Sequence, residues 1–228
     1  MNRVAVVVGM AVEAGCLDSL PPVRIACSGG RPDVARERAE RLVADGATAL
    51  VSFGIAGALV PGLAPATLLL PPAVVGPSGE MFTVDAAWHA RVALAAARSG
   101  QPLVTTARLA GSDLAVTTVA AKAALALATG AAAVDMESHM VAAVAREHRL
   151  PLLVLRAIAD PAERAIPAPA LVGLGPEGEA RPLAVALRLL TAPWTLPALI
   201  RLAADSQAGL AALGQAVRRL GPAAFRLD

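Results

Sequence analysis

Acidic side chains stand just after several apolar stretches of the sequence, at points where buried strands are expected to end. Asp135 and Glu137 follow an apolar segment and precede a helical pattern. Asp160 closes a second apolar run, and Glu13 follows a run of valines near the start of the chain. A carboxylate at such a junction either caps the following helix or binds a ligand, and the junction at Asp135 taken alone is more typical of a cap.

Five further residues with small or polar side chains stand at or beyond the ends of other predicted strands: Ser28, Gly29, Ser52, Gly54 and Asp113. In open α/β sheets, ligands bind beyond the carboxyl ends of the strands, so these residues and the carboxylates are expected to share one site. Several carboxylates with little positive charge favour a polyol or a nitrogen base over a strongly anionic ligand. Each residue also has a structural interpretation, as a cap, a turn or a packing position, and these alternatives stay open one by one.

The elements that must position these residues alternate between strands and helices. Strands are predicted over 4–8, 22–27, 48–53, 66–75, 102–106, 131–135 and 151–160, with a loop or edge hairpin over 79–84. Helices are predicted over 32–44, 85–99 (capped by Asp85), 117–128, 136–149, 181–192 and 196–220. This order predicts a single α/β domain with a central, mostly parallel or mixed twisted sheet flanked by helices, plus a C-terminal helical extension.

Composition and charge narrow the class of protein. The chain has 228 residues, 56% of them hydrophobic and only 2% aromatic, so Ala, Val and Leu must build the core. A net charge of +2 is too small to argue for nucleic acid as a partner. Two cysteines, Cys16 and Cys27, form neither a disulfide framework nor a metal cluster, and no metal or organic cofactor is predicted. Because no signal peptide precedes the first strand, a cytoplasmic protein is expected.

The last residues of the chain differ from the rest. From Arg181 onward the sequence contains six arginines and only two acidic residues, Asp205 and Asp228. The net charge of this part is +4, which leaves −2 for residues 1–180. We therefore predict a domain over 1–180 and a basic amphipathic helical tail over 181–228. The tail either caps the core or a partner subunit, or it contacts a membrane surface or a lipid-like substrate. In the second case the protein is membrane-associated at the inner face.

Four motifs together resemble the nucleoside phosphorylase and nucleosidase superfamily over roughly residues 3–165. They are Gly9-Met-Ala-Val-Glu13, Ser52-Phe-Gly-Ile-Ala-Gly57, Val134-Asp-Met-Glu-Ser138 and Arg156-Ala-Ile-Ala-Asp160. The methylthioadenosine/S-adenosylhomocysteine nucleosidases are the general relatives. The Cys27-Ser-Gly-Gly stretch, Asp135-Met-Glu-Ser-His139 and the arginine-rich tail look more like one branch, the hopanoid-associated phosphorylases.

The resemblance implies cleavage of the N-glycosidic bond of a nucleoside. It gives Asp160 the role of general acid at N7 of the purine, and Glu137 that of accepting hydrogen bonds from both ribose hydroxyls. Met136 would pack against the ribose or the base, and Glu13 would orient or deprotonate the attacking water. Asp135 keeps the capping role.

The sequence departs from the family pattern at several positions. Ala159 stands where many relatives have a serine that holds the acid, and Leu114 stands where an aromatic often stacks on adenine. The phosphate-dependent relatives commonly have an arginine at Ser52 and a serine at Ile55. Residues 28–31 could bind phosphate instead, so hydrolysis and phosphorolysis, with inorganic phosphate as co-substrate, both stay open.

Three functions follow as hypotheses. The first is release of adenine from a 5′-modified adenosine, most specifically adenosylhopane, in hopanoid side-chain biosynthesis. The second is a general methylthioadenosine/S-adenosylhomocysteine nucleosidase, and the third is a non-catalytic nucleoside- or lipid-binding protein with the same fold. The resemblance also implies a homodimer, with Phe82 and His89 as candidate contributors across its interface.

Overall fold

The computed structural model describes residues 3–20, 23–173, 175, 178–179 and 181–226. These residues form one mixed sheet of nine strands with helices on both of its faces, and a long helix follows the last strand. The predicted fold class is confirmed.

The strands are β1 (Val4–Val8), β2 (Arg24–Cys27), β3 (Ala49–Ala58), β4 (Leu68–Leu69), β5 (Ala73–Val75), β6 (Met81–Thr83), β7 (Leu109–Gly111), β8 (Ala133–Asp135) and β9 (Leu152–Asp160). The helices are α1 (Ala11–Gly15), α2 (Pro32–Ala44), α3 (Ala86–Arg98), α4 (Val119–Thr129), α5 (Ser138–Glu147), α6 (Pro182–Thr191) and α7 (Leu196–Leu220). Single 3₁₀ turns lie over Ala168–Val172, Pro193–Thr195 and Pro222–Phe225.

Strand β3 is the centre of the sheet and connects its two halves. It pairs in parallel with β1 on one side and with β9 on the other, while its last residues pair antiparallel with β8. Gly57 therefore lies in register with both Val134 and Asp160. Because β1, β3 and β9 run in the same direction, their carboxyl ends meet at one edge of the sheet, where β8 also ends.

The core lies in two layers, one on each face of the sheet. Along β1, Ala5 and Val7 face the layer that α2 and α5 cover, whereas Val6 and Val8 face the layer that α3 and α7 cover. Since successive side chains of a strand point to opposite faces, only a continuous apolar run satisfies both layers. Trp88 on α3 is the largest fully buried side chain of the second layer.

The basic tail divides into two parts. The second half of α7 belongs to the core, where Leu213 and Val217 are fully buried against the sheet. Helix α6, in contrast, has no buried residue. Leu227 and Asp228 lie outside the described residues. Within the described part of the chain, no helix is long and apolar enough to cross a membrane.

Two predicted strands were placed wrongly. The strand predicted over 102–106 is only an isolated bridge between Val104 and Leu69, and the strand that pairs with β5 and β8 is β7. The strand predicted over 66–75 is two short strands, because Pro71 and Pro72 interrupt it and have no N–H to donate. The hairpin prediction for 79–84 is confirmed by the antiparallel pair β5–β6. Pro22, where the second strand was predicted to begin, lies outside the described residues.

Both residues suggested for a dimer interface make contacts inside the chain. Phe82 is buried in the core, and the guanidinium of Arg146 lies 4.4 Å from its ring centroid. His89 Nε2 donates to the carbonyl oxygen of Leu70 at 2.8 Å. The homodimer stays a prediction, and these two side chains give it no support.

Candidate active site

A cavity of about 210 Å³ opens where the carboxyl ends of the central strands meet. Four of the predicted site residues line it: Glu13, Met136, Glu137 and Asp160. The remaining lining is mostly apolar or backbone: Gly9, Met10, Gly30, Ile55, Ala56, Gly57, Leu114, Ala115, Val116, Val134, Asp135, Ala159 and Ile166. Among the described residues that line the cavity, none carries a positive charge.

Glu13 is a buried carboxylate that three backbone amides hold in place. Its Oε2 accepts hydrogen bonds from Gly9 N at 2.8 Å and Met10 N at 2.9 Å, and its Oε1 accepts from Ile55 N at 2.8 Å. The side chain thereby caps the short helix α1 and ties it to β3. Burial raises the pKa of Glu13, while the guanidinium of Arg156 and the amides act in the opposite direction.

Arg156 is a fully buried cation beneath the cavity floor. It lies in the middle of β9, and its Nη2 is 2.6 Å from Asp135 Oδ2 and 3.6 Å from Glu137 Oε2. A buried guanidinium needs such anionic partners, because its own desolvation is costly. Nε and Nη1 of Arg156 have no hydrogen-bond partner among the described residues. Arg156 is part of one of the four sequence motifs, but the sequence predicted no role for it.

Ser52 and Gly54 lie next to the guanidinium of Arg156 and do not line the cavity. Arg156 Nη2 donates to Ser52 Oγ at 2.6 Å, and Ser52 is fully buried. A Cβ atom at Gly54 would overlap both Glu13 Oε1 and Arg156 Nη1. The missing side chain at Gly54 therefore allows the carboxylate and the guanidinium to approach each other.

The two carboxylates at the end of β8 have different environments. Asp135 Oδ1 accepts from Ser138 N at 3.2 Å, and the Ser138 hydroxyl donates to Oδ2, so Asp135 satisfies a free backbone N–H at the start of α5 as predicted, although Glu137 occupies the N-cap position. Glu137 points into the cavity. Burial raises the pKa of Glu137 to about 8, with further upward contributions from Asp135 and Glu13 and an opposing one from Arg156.

Asp160 is paired with a residue that sequence reasoning missed. The ammonium group of Lys122, on α4, contacts Asp160 Oδ2 and donates to the carbonyl oxygens of Pro161 at 2.9 Å and Arg164 at 3.0 Å. No described residue donates to Asp160 Oδ1. Burial raises the pKa of Asp160, while Lys122 lowers it. Lys122 thus supplies the support that Ala159 cannot give.

The remaining predicted site residues lie beside the cavity. Ser28 is fully buried, and its hydroxyl donates to Val8 O at 3.3 Å, while Gly29 forms the turn that places Gly30 at the cavity wall. The side chain of Asp113 is 61% exposed and accepts from His139 Nε2 at 3.0 Å. This bond anchors the loop whose next three residues line the cavity. In the described residues no group of three His, Cys, Asp or Glu side chains could hold a metal ion.

Solved structures with the same fold are nucleosidases and a related hydrolase. The chain superposes on futalosine hydrolase of Helicobacter pylori with a TM-score of 0.68 and 18% identity, covering 95% of this chain and 97% of the other. It superposes on the 5′-methylthioadenosine/S-adenosylhomocysteine nucleosidase of Neisseria meningitidis with a TM-score of 0.73 and 16% identity, covering 98% and 100%. The corresponding H. pylori nucleosidase gives 0.68 and 17%, covering 95% and 98%. At these identities the likeness establishes the fold.

The mixed sheet and the acid-lined cavity at its edge thus define an α/β protein of the nucleosidase fold. A family model described as the phosphorylase superfamily matches residues 9–189, so the chain belongs to that superfamily. Membership supports cleavage of an N-glycosidic bond as its chemistry. Comparison with characterised proteins by sequence gives no significant match.

Proposed function

We propose that the protein cleaves the N-glycosidic bond of a purine nucleoside with water as the nucleophile. The observation that carries this proposal is the set of three buried carboxyl groups around one cavity, those of Glu13, Glu137 and Asp160. Breaking such a bond needs an acid for the leaving base, a negative charge for the developing sugar cation and a group that directs water. The three carboxyl groups supply one function each.

Asp160 is the general acid. Burial raises the pKa of its carboxyl group, which favours a transferable proton, and Lys122 occupies Oδ2 so that Oδ1 is left for the ligand. Protonation of the purine at N7 lets it leave as a neutral base, a step worth roughly 10²–10⁴-fold in rate.

Glu137 and Met136 bind the sugar. A carboxyl group can engage both hydroxyls of a ribose, and the flexible thioether of Met136 fills the space beside the ring. The ionised Glu137 carboxylate stabilises the positive charge that develops on the ribose, and the partly buried site makes this attraction stronger than it would be in water.

Glu13 directs water, and the surroundings favour water over phosphate. Glu13 is fixed by three amides and lies near Arg156 Nη1, which has no hydrogen-bond partner in the described chain. A phosphate here would meet Glu13 and Glu137 without a lining cation, although phosphate sites usually use charged donors. Ser28 and Gly29, the alternative phosphate ligands, do not line the cavity.

For the substrate we propose a 5′-modified adenosine, with adenosylhopane in hopanoid side-chain biosynthesis as the most specific candidate. This choice rests on the sequence resemblance and on the apolar lining by residues such as Leu114, Val116 and Ile166. Methylthioadenosine or S-adenosylhomocysteine is the second candidate, favoured by the structures that share the fold.

The test is release of adenine from adenosine, methylthioadenosine, S-adenosylhomocysteine and a 5′-alkyl adenosine, each with and without phosphate. We expect adenine and free sugar without phosphate, and the highest kcat/KM for the 5′-alkyl substrate. Asp160→Asn should lose roughly 10²–10⁴-fold in kcat. Asp45→Asn is the matched control, because Asp45 is exposed and lies outside the cavity.

Several results would contradict the proposal. A requirement for phosphate, with a sugar 1-phosphate as product, would overturn hydrolysis. Preference for methylthioadenosine would favour the second candidate substrate. Binding without any adenine release would favour a non-catalytic nucleoside-binding protein.

A further inference from the structure

The start of the C-terminal tail exposes an unusual number of large apolar side chains. We define the tail surface as Leu183, Leu187, Leu190, Trp194, Leu196 and Ile200. The first three follow at spacings of four and three residues and so share one face of α6. Leu190 and Trp194 are 78% and 76% exposed. A large exposed apolar patch on a globular protein marks an interaction site.

Helix α6 lacks the burial that normally stabilises a short helix. It has ten residues, and none of them is buried. Isolated helices of this length are marginal in water, because helix stability in proteins comes mainly from packing of an apolar face. The apolar face of α6 therefore needs a surface to cover it.

The charges around the tail surface indicate what that surface is. Residues 181–204 contain Arg181, Arg188 and Arg201 and no Asp or Glu. Arg188 and Arg201 form no ion pair with the described residues. Arginines beside Leu and Trp side chains are the composition of helices that lie in a lipid interface, where the indole occupies the boundary and the cations attract anionic headgroups.

We propose that the tail surface binds peripherally to anionic lipid bilayers. A second copy of the chain is a poorer occupant, because a twofold interface uses the same segment from both copies and residues 181–204 contain no carboxylate that could pair with their arginines. The proposal is independent of the proposed reaction, since the tail surface contributes no residue to the catalytic cavity.

The experiment is flotation of the full chain with two kinds of vesicle, phosphatidylcholine alone and phosphatidylcholine mixed with phosphatidylglycerol. We expect the wild-type protein to float only with the anionic vesicles and to be released by high salt. Replacing Arg188 and Arg201 together by Gln should weaken binding by about five-fold per arginine. Leu187→Glu or Trp194→Glu should weaken it by roughly ten-fold or more.

Leu127→Glu is the matched control. Leu127 lies on α4 and is 89% exposed, but it is not part of the tail surface. This variant should float like the wild type. Circular dichroism should give all variants the same unfolding transition, because none of these side chains is buried.

Two outcomes would overturn the proposal. The first is wild-type protein that floats with neither kind of vesicle, or binding that Leu127→Glu weakens as much as the tail-surface substitutions do. The second is a solution dimer, measured by light scattering, that dissociates on Leu187→Glu while lipid binding is absent. That result would assign the tail surface to a second copy of the chain.

Discussion

Lys122 Nζ and Asp160 Oδ2 are in direct contact in the protein interior, although 38 residues separate them in the sequence. Lys122 is the only lysine among the twenty Lys and Arg residues of the chain. Its two further bonds, to the carbonyl oxygens of Pro161 and Arg164, fix the ammonium group at the start of the loop after β9. The pair thus determines which oxygen of Asp160 faces the cavity and how readily this carboxyl group gives up its proton.

Replacing Lys122 by Met removes the cation that lowers the pKa of Asp160. The pKa of Asp160 then rises further, so the high-pH limb of kcat/KM, where the acid loses its proton, moves to higher pH. Where Asp160 is ionised, the unpaired charge should also cost about 3–5 kcal/mol of unfolding free energy. Lys122→Arg keeps the charge and should move the limb less. A pH–rate profile with the limb unmoved in Lys122→Met would refute this role.

Glu137→Gln should stabilise the protein at high pH. The folded state raises the pKa of Glu137 from 4.5 to about 8. Between these two pH values the folded protein therefore binds a proton that the unfolded protein has released. Wild-type stability therefore falls as pH rises through this window, and Gln, which does not titrate, avoids the loss. The difference in unfolding free energy between the variant and the wild type should be larger above pH 8 than near pH 4.5, in favour of the variant, by on the order of 1 kcal/mol or more. Urea unfolding over a pH series measures this.

Glu147→Gln is the control for the same series. Hydrogen bonding to Arg36 lowers the pKa of Glu147, so its contribution is present at high pH and is lost as the pH falls. Gln at 147 should give no gain at high pH. Equal behaviour of the two variants would contradict the raised pKa of the buried Glu137 carboxyl group.

Gly54→Ala should damage the site more than a glycine replacement elsewhere. The new Cβ would overlap Glu13 and Arg156, and the backbone φ of +153° is strained for alanine. We expect a loss of about 1–3 kcal/mol in stability and roughly 10²-fold in kcat/KM. Gly62→Ala, at φ +90° with no atom within 4 Å of its Cβ, isolates the backbone effect and should leave kcat/KM unchanged. Similar kcat/KM values for both variants would be inconsistent with this geometry.

Leu213→Ala should test whether the second half of α7 belongs to the folded core. Leu213 is fully buried with β1 and α3 residues, so the truncation should cost about 2–5 kcal/mol in urea unfolding. Leu190→Ala, in the exposed half of the tail, should stay within about 0.5 kcal/mol of wild type. If both substitutions cost the same, the division of the tail into a core part and a surface part is wrong.

The position of the acidic residues was predictable from sequence. Glu13, Glu137 and Asp160 each stand at or just after the end of an apolar strand. Parallel pairing of β1, β3 and β9 brings the ends that carry Glu13 and Asp160 together, whereas Glu137 joins them through the antiparallel pairing of β8 with the end of β3. The capping role of Asp135 was predictable from the local sequence, because Asp135 precedes the first free N–H groups of α5.

The cations beneath and beside the cavity were not predictable in the same way. Lys122 sits in an alanine-rich helix whose sequence does not indicate which end of the sheet it contacts. A lone lysine in a chain that otherwise uses arginine was the available signal. Arg156 has partners on β3, β8 and α5, and only the register of those elements brings them together. Strand β7 was missed because its pairing depends on β5 and β8 rather than on its own short sequence.

Helix α7 is continuous over 25 residues, a length of about 38 Å, from the exposed Leu196 to the buried Leu220. No flexible linker separates its outer end from the half that packs on the sheet. Near its middle, a Cβ at Gly209 would lie 3.1 Å from the carbonyl oxygen of Ile158, two residues before Asp160. Anything that binds the exposed N-terminal end of α7 is therefore held at a fixed angle and distance to the rest of the molecule. The mouth of the cavity would keep one orientation toward that partner rather than pivot freely above it.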